Sequence, residues 1–226
     1  MRRRIFSRLT IGAGLLTLIA GVWAQSAGVH PVSGRLFAGV MSAEGADWLD
    51  RSEREDEEAP AKALDAIGIQ KGSTVADIGA GSGYFTVRLA ERVGPTGKVY
   101  ANDIQPEMLQ LLRRRLDAGH ITNVTLVQGA IDDPKLPSST LDLELLVDVY
   151  HEFSQPQAML RHLREALTPS GRLVLLEYRK EDPTIPIRPE HKMTVAEAKL
   201  EVEHEGYHLA RVNEDLPRQH ILIFSK

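Results

Sequence analysis

Val75-Ala76-Asp77-Ile78-Gly79-Ala80-Gly81-Ser82-Gly83-Tyr84-Phe85 carries an apolar strand pattern into three alternating glycines and then straight into an amphipathic helix. Glycines are needed there because a Cβ would obstruct a backbone that turns sharply and passes close to a ligand. Asp103 closes the next apolar run, about 20 residues on, the offset of a carboxylate that accepts hydrogen bonds from a ribose diol. A dinucleotide fingerprint, G-x-G-x-x-G, fits at Gly79 and Gly81 but meets Tyr84 at its last place. A phosphate-cradling P-loop would need Gly-Lys-Ser/Thr, which is absent. The loop therefore points to an adenosine site of a third kind.

Outward from the loop, short apolar runs alternate with amphipathic segments. Strands are expected over Thr74–Gly79, Lys98–Ile104, Val124–Gly129, Leu141–Val149 and Gly171–Arg179, with helices near Tyr84–Val93, Pro106–Ala118 and Gln155–Leu167. Strands separated by helices pair in parallel, with helices on both faces. Tyr207–Glu214 and His220–Phe224, joined by a short turn containing Pro217, read as an antiparallel pair. The expected fold is thus α/β: a doubly wound, mostly parallel seven-stranded sheet with an antiparallel C-terminal strand pair. Ligands of such sheets bind at the carboxyl ends of the strands. Before the first strand, a helix is expected from the acidic run Glu53–Glu58, capped by Ser52, kinking at or restarting from Pro60 and ending at Gly68.

The spacing Asp77-x-Gly79-x-Gly81-x-Gly83 resembles the first motif of the class I S-adenosylmethionine-dependent methyltransferases. Val99–Ile104 is similar to their second motif, Leu141–Phe153 to the strand-four motif, and Leu167–Leu173 to the turn before strand five. The style is closest to the quinone-biosynthesis small-molecule methyltransferases. The resemblance implies a Rossmann-like methyltransferase fold, S-adenosyl-L-methionine as cofactor, and an enzyme acting on a small-molecule acceptor. It further implies that Gly79, Gly81 and Gly83 line the methionine and ribose portions, that Asp77 orients the amino group directly or through water, and that Asp103 holds the ribose hydroxyls. Ile104 would pack on the adenine, with Tyr84 and Asp148 also on the cofactor side. Where relatives carry Asp just after the glycine ending strand three this chain has Ala130, and Asp132 is the residue expected to approach the adenine amino group.

Methyl transfer from a sulfonium depends mainly on placing the acceptor in line, and a base matters only if the acceptor must lose a proton. His151 is the first candidate for that role and Glu152 the second; the alternative is that His151 caps or packs beneath the substrate. The Asp/Asn-Pro-Pro-Tyr/Phe motif of many amino-directed relatives is missing, which favours an oxygen or carbon acceptor. Asp182–Met193, with Pro183, Pro186 and Pro189, reads as a lid or a stiff loop, and Tyr178, Arg179 and His191 at its edges as acceptor contacts. His204-Glu205-Gly206-Tyr207-His208 matches HExxH literally, but Gly206 should end a helix between the two histidines, so no metal site is expected there. His151-Glu152 has Gln155, not histidine, four residues on. Three classes of function remain to be separated: a methyltransferase, a non-catalytic binding module on the same fold, and a zinc hydrolase. They predict turnover, binding without turnover, and chelator-sensitive activity respectively.

Composition narrows the field. The chain has 226 residues, 26% charged, 42% hydrophobic and 5% aromatic, with a net charge of −4 and no cysteine. Disulfides, thiolate zinc and cysteine nucleophiles are excluded together. With no basic stripe beyond the N-terminus and Arg113–Arg115, no nucleic-acid partner is expected. Arg2, Arg3, Arg4 and Arg8 precede an apolar run Leu9–Ala24, with Val22 and Ala24 as small residues before a cut. Residues 1–24 therefore read as a signal peptide, with Arg3-Arg4-Ile5-Phe6 resembling a twin-arginine signal. Export to the periplasm is expected, or else anchorage by an uncleaved segment, the only membrane contact foreseen. Residues 25–50 read as a linker and 51–226 as the domain.

Overall fold

The computed structural model describes residues 28–226; the segment read as an export signal lies outside the described residues. Three short helices precede the sheet: α1 (Ala46–Leu49), α2 (Arg54–Glu58) and α3 (Pro60–Ile67). Ala59, left-handed at φ 48°, breaks α2 from α3, so a new helix starts at Pro60, the position where proline's missing N–H costs nothing. Gly68 closes α3 at φ 71°. Ser52 does not cap α2: the preceding residue is Glu53, and the Ser52 hydroxyl donates to its carboxylate instead.

The chain then alternates β1 (Thr74–Ile78), α4 (Tyr84–Val93), β2 (Lys98–Asp103), α5 (Pro106–Ala118), β3 (Val124–Gln128) and β4 (Leu141–Val147). It continues through α6 (Pro156–Ala166), β5 (Leu167–Tyr178), α7 (Val195–His204), β6 (His208–Asn213) and β7 (Gln219–Ser225). β5 begins at Leu167 rather than Gly171, because Leu167 already pairs with Leu141 before a register shift. The seven strands form one sheet in the order β3-β2-β1-β4-β5-β7-β6. The pairs β1–β2, β2–β3, β1–β4 and β4–β5 are parallel, whereas β5–β7 and β6–β7 are antiparallel, as the sequence pattern requires.

Alternation along the strands feeds two cores. Ala76, Ile78 and Leu146 point to the face covered by Leu160 and Leu163 of α6 and Val202 of α7. Val75, Leu143 and Leu145 point to the face covered by Leu64 of α3 and Leu89 and Val93 of α4. Because the chain leaves β1 toward β2 and β3 and later returns to β4 on the other side, the switch point lies between β1 and β4. The ends of β1, β2, β4 and β5 thereby open on one crevice.

The stretch expected as a linker is folded from residue 28 onward. Val29 bridges Leu36, and the buried Arg35 inserts between α7 and the end of β4. Its Nε and Nη2 donate to the two carboxylate oxygens of Glu201, at 3.0 and 2.9 Å. Its Nη1 donates to the His151 carbonyl at 3.1 Å. The segment then crosses the crevice and is pinned on the far side, where Gln105 donates to the Met41 carbonyl and Arg115 pairs with Asp50.

Candidate functional site

The crevice encloses a cavity of about 790 Å³, within the usual size of a small-ligand site. Its floor is the glycine loop. Gly79 (φ 68°) and Gly81 (φ 55°) occupy left-handed backbone and both line the cavity. A Cβ on Gly79 would stand 2.4 Å from Val149 Cγ2, and one on Gly81 2.7 Å from Leu49 Cδ1. Gly83 is left-handed as well, but its neighbour is Leu112 of α5: it allows helix packing rather than ligand approach.

Asp103 ends β2 at the cavity wall. One carboxylate oxygen accepts from the Gly81 N–H and the other from the Gln105 N–H, both at 2.9 Å. Burial raises its pKa above the ordinary value, against the pull of those amides. Ile104, next to it in the chain, and Asp148, just past the end of β4, line the same cavity. Asp148, at φ 51°, accepts from Gln219 Nε2 through Oδ2, while Oδ1 is buried with no partner among the described residues. Burial and the nearby Glu58 and Glu177 carboxylates push its pKa well up.

Asp77, Tyr84 and Asp132 do not reach the cavity. Asp77 is buried behind the loop, where Thr86 Oγ1 donates to it at 2.5 Å; burial above all raises its pKa to about 7. Tyr84 turns away from the crevice and donates to Glu55, its ring covered by the Arg54 and Arg88 guanidiniums. Asp132 is exposed, and its neighbour Ile131 lines the cavity instead.

The other end of the cavity holds the acceptor-side candidates. A short 3-10 turn, Tyr150–Glu152, follows β4. His151 is buried, with Nδ1 2.6 Å from Glu177 Oε2 and Nε2 3.2 Å from His191 Nδ1. Glu177, on β5, also accepts from the Tyr150 N–H, so it fixes both the ring and its backbone. Burial works against charge on His151, but Glu177 outweighs it and the pKa rises. Burial and then the neighbouring His151 lower that of His191. Glu152 also lines the cavity, its carboxyl raised to about 7 chiefly by burial.

Tyr178 lines the wall with its hydroxyl donating to Glu58 at 2.8 Å, whereas Arg179 points away and pairs with Glu214. Pro186, Ile187 and His191 bring the proline-containing loop over the mouth. His204 ends α7 and His208 begins β6, so the HExxH histidines lie on different elements. Sequence reasoning missed two contributors. Glu177, which reaches the site only through His151, sits inside an apolar strand, and the cavity-lining Val40, Met41 and Trp48 come from the stretch read as linker; no local pattern marks either.

The carboxylates Asp103 and Asp148, with the latter's unpartnered oxygen, suit a ligand bearing a polyol and a cationic donor. The bare backbone of Gly79 and Gly81, which lines the cavity, suits its close approach. S-Adenosylmethionine has these features, so the residues present fit the cofactor implied by the motifs.

Comparison with known proteins agrees with this fit. A family model described as a methyltransferase domain matches residues 69–215. The chain is 34% identical over 125 residues to the ubiquinone/menaquinone biosynthesis C-methyltransferase UbiE of Hahella chejuensis, covering 55% of this chain and 49% of that one. It therefore spans about half the length of the curated relatives it matches. A crystal structure of a SAM dependent methyltransferase from Aquifex aeolicus is similar at a TM-score of 0.78 and 28% identity, over 82% of this chain and 98% of that one. A putative type 11 methyltransferase from Sulfolobus solfataricus shares the fold at a TM-score of 0.63 and 20% identity, over 75% of this chain and 93% of that one.

Proposed function

Since the chain belongs to the S-adenosylmethionine-dependent methyltransferase family, we propose that it methylates a small molecule on oxygen or carbon inside the cavity between the glycine loop and His151. The observation that carries this reading is the single cavity itself: Asp103 and Gly81 line one end, and His151, Glu152 and His191 line the other. When bound, S-adenosylmethionine supplies a methyl group on a sulfonium whose sulfur leaves as a neutral thioether and needs no protonation. Asp103 and the Gly79–Gly81 backbone would hold the cofactor, and Asp148 Oδ1 would take a hydrogen bond from it. The remaining work belongs to the acceptor end. His151, aligned by Glu177, orients the acceptor or takes its proton beneath the loop over the mouth.

The apolar rim favours an acceptor with a hydrocarbon body. Val40, Trp48 and Ile131 are 50, 49 and 56% exposed around the opening. The named relative acts in quinone biosynthesis, and a phenol or quinol offers both the hydrocarbon and the oxygen that the site would grip.

Calorimetric titration of the full chain with S-adenosylmethionine and its demethylated product tests the cofactor end. Binding that weakens by at least tenfold in Asp103→Ala supports the reading; no binding by the folded wild type overturns it. Radiolabelled methyl transfer to a panel of phenols, quinols and amines tests the acceptor. Turnover confined to amines would overturn the oxygen-or-carbon assignment, and binding without any turnover would leave a binding module.

A further inference from the structure

His151, Glu152 and His191 converge at the acceptor end with ligand atoms all within 4.8 Å of one another. Two of them lie within hydrogen-bond distance, His151 Nε2 standing 3.2 Å from His191 Nδ1. Imidazole nitrogens bound to one tetrahedral zinc at about 2.0–2.1 Å stand about 3.3 Å apart. The observed pair is thus already at the spacing of two ligands of one ion, with the half-buried Glu152 alongside, a carboxylate oxygen within 4.8 Å of both.

We propose that His151, His191 and Glu152 bind a divalent first-row transition metal at the acceptor end of the cavity. Two imidazoles and one carboxylate, with at least one position left open, is the donor set that suits such ions rather than magnesium or calcium. The surroundings have the further feature that metal-bound histidines display. Glu177 holds the opposite nitrogen, Nδ1, at 2.6 Å, fixing the tautomer that leaves Nε2 as the ligand atom. Glu177 is itself fully buried and tied to the Tyr150 N–H, so the imidazole is preset before any ion arrives. His191 comes from the loop over the cavity mouth, so an ion would join the loop to the end of β4.

The ligand class follows. The open position faces the cavity, where an acceptor bearing a hydroxyl or enol oxygen coordinates through that oxygen and releases its proton to solvent water. Coordination then replaces a protein base. This use of the ion rests on the methyltransferase reading; the ion's binding does not.

Chelator-treated full chain titrated with Co²⁺, and competitively with Zn²⁺, supplies the test. One equivalent of cobalt should produce the visible absorption of a low-symmetry, four- or five-coordinate ion. His191→Ala, at a half-exposed position that spares the core, should abolish it. Glu177→Gln, checked for native near-ultraviolet circular dichroism, should weaken binding by about 10–100-fold without removing a ligand. The exposed histidines supply a control, and His204→Ala/His208→Ala should bind as wild type. No cobalt spectrum, a spectrum unchanged in His191→Ala, or one lost in the His204/His208 control would overturn the proposal. S-Adenosylmethionine titration of the metal-free chain keeps the two readings apart. Cobalt bound through His191 without cofactor binding supports the metal site and sinks the methyltransferase reading. Cofactor bound through Asp103 with no cobalt site does the reverse.

Discussion

Glu144 lies in the middle of β4 with no solvent exposure, and neither carboxylate oxygen has a hydrogen-bond partner among the described residues. Burial pushes its pKa well above the ordinary value, with Lys226 only partly opposing. A carboxyl whose folded pKa is raised contributes its stability below the unfolded pKa and loses it as pH climbs through the folded one. Glu144→Leu should therefore stabilise the chain by about 1–3 kcal/mol at pH 4, the cost of an unpartnered buried polar group in its neutral form, and by more at pH 8, where the unfolded chain gains an ionised carboxylate; urea unfolding at both values checks this. The loop glycines behave oppositely. Gly79→Ala meets both a left-handed φ and the Val149 side chain, and should cost about 2–4 kcal/mol, seen as a lower urea midpoint. At this scale the cofactor end was legible, because glycine and a strand-end acid are demanded by local backbone geometry. The acceptor end was legible in His151, Glu152, Tyr178 and His191, all of which line the cavity, but not in how these residues are joined. Glu177 hides in a strand that reads as apolar, and His191 lies 40 residues beyond the histidine it faces. Asp132 was misplaced because the turn after β3 exposes it and turns Ile131 inward.

Among the elements, the strands and the helices between them announced themselves by periodicity, and the parallel pairing of β1 to β5 followed from their alternation. The segment 28–50 carries no periodicity, because its order comes from distant partners rather than from its own pattern. Arg35 is the clearest case, its guanidinium buried against Glu201, with His30 Nε2 a further 3.4 Å from the same carboxylate. Breaking such a pair leaves a buried charge uncompensated, so Arg35→Ala should cost about 3–5 kcal/mol, whereas Arg35→Met/Glu201→Leu should recover most of it. Chemical denaturation of the two variants measures both. Because Arg35 and the Ala38 N–H also bind the His151 carbonyl, the single variant should in addition lower turnover, and by more than it weakens cofactor binding. Equal losses in both would show that the segment only stabilises the fold.

Over the whole molecule, the fold buries several carboxyls and makes them hard to ionise. Asp77 has its pKa raised to about 7, and those of Asp103, Asp148 and Glu144 are raised too. By the same linkage, the ligand-free chain should lose stability as pH rises from about 5 to 8, with Asp77→Asn removing part of that slope; melting temperature against pH records it. A cationic ligand seated between Asp103 and Asp148 favours their charged forms, so saturating S-adenosylmethionine should raise the melting temperature more at pH 8 than at pH 5. The contact between Arg35 and Glu201 has a bearing on time as well as on strength. It joins residues 166 apart in sequence, and contacts of such long range must wait for the intervening chain to be in place. The segment that roofs the cavity is among the first of the described residues to be synthesised, yet its seat on α7 is among the last. Until that helix exists the end of β4 lacks its clamp, so the chain acquires β1 to β5 before it can acquire a working site.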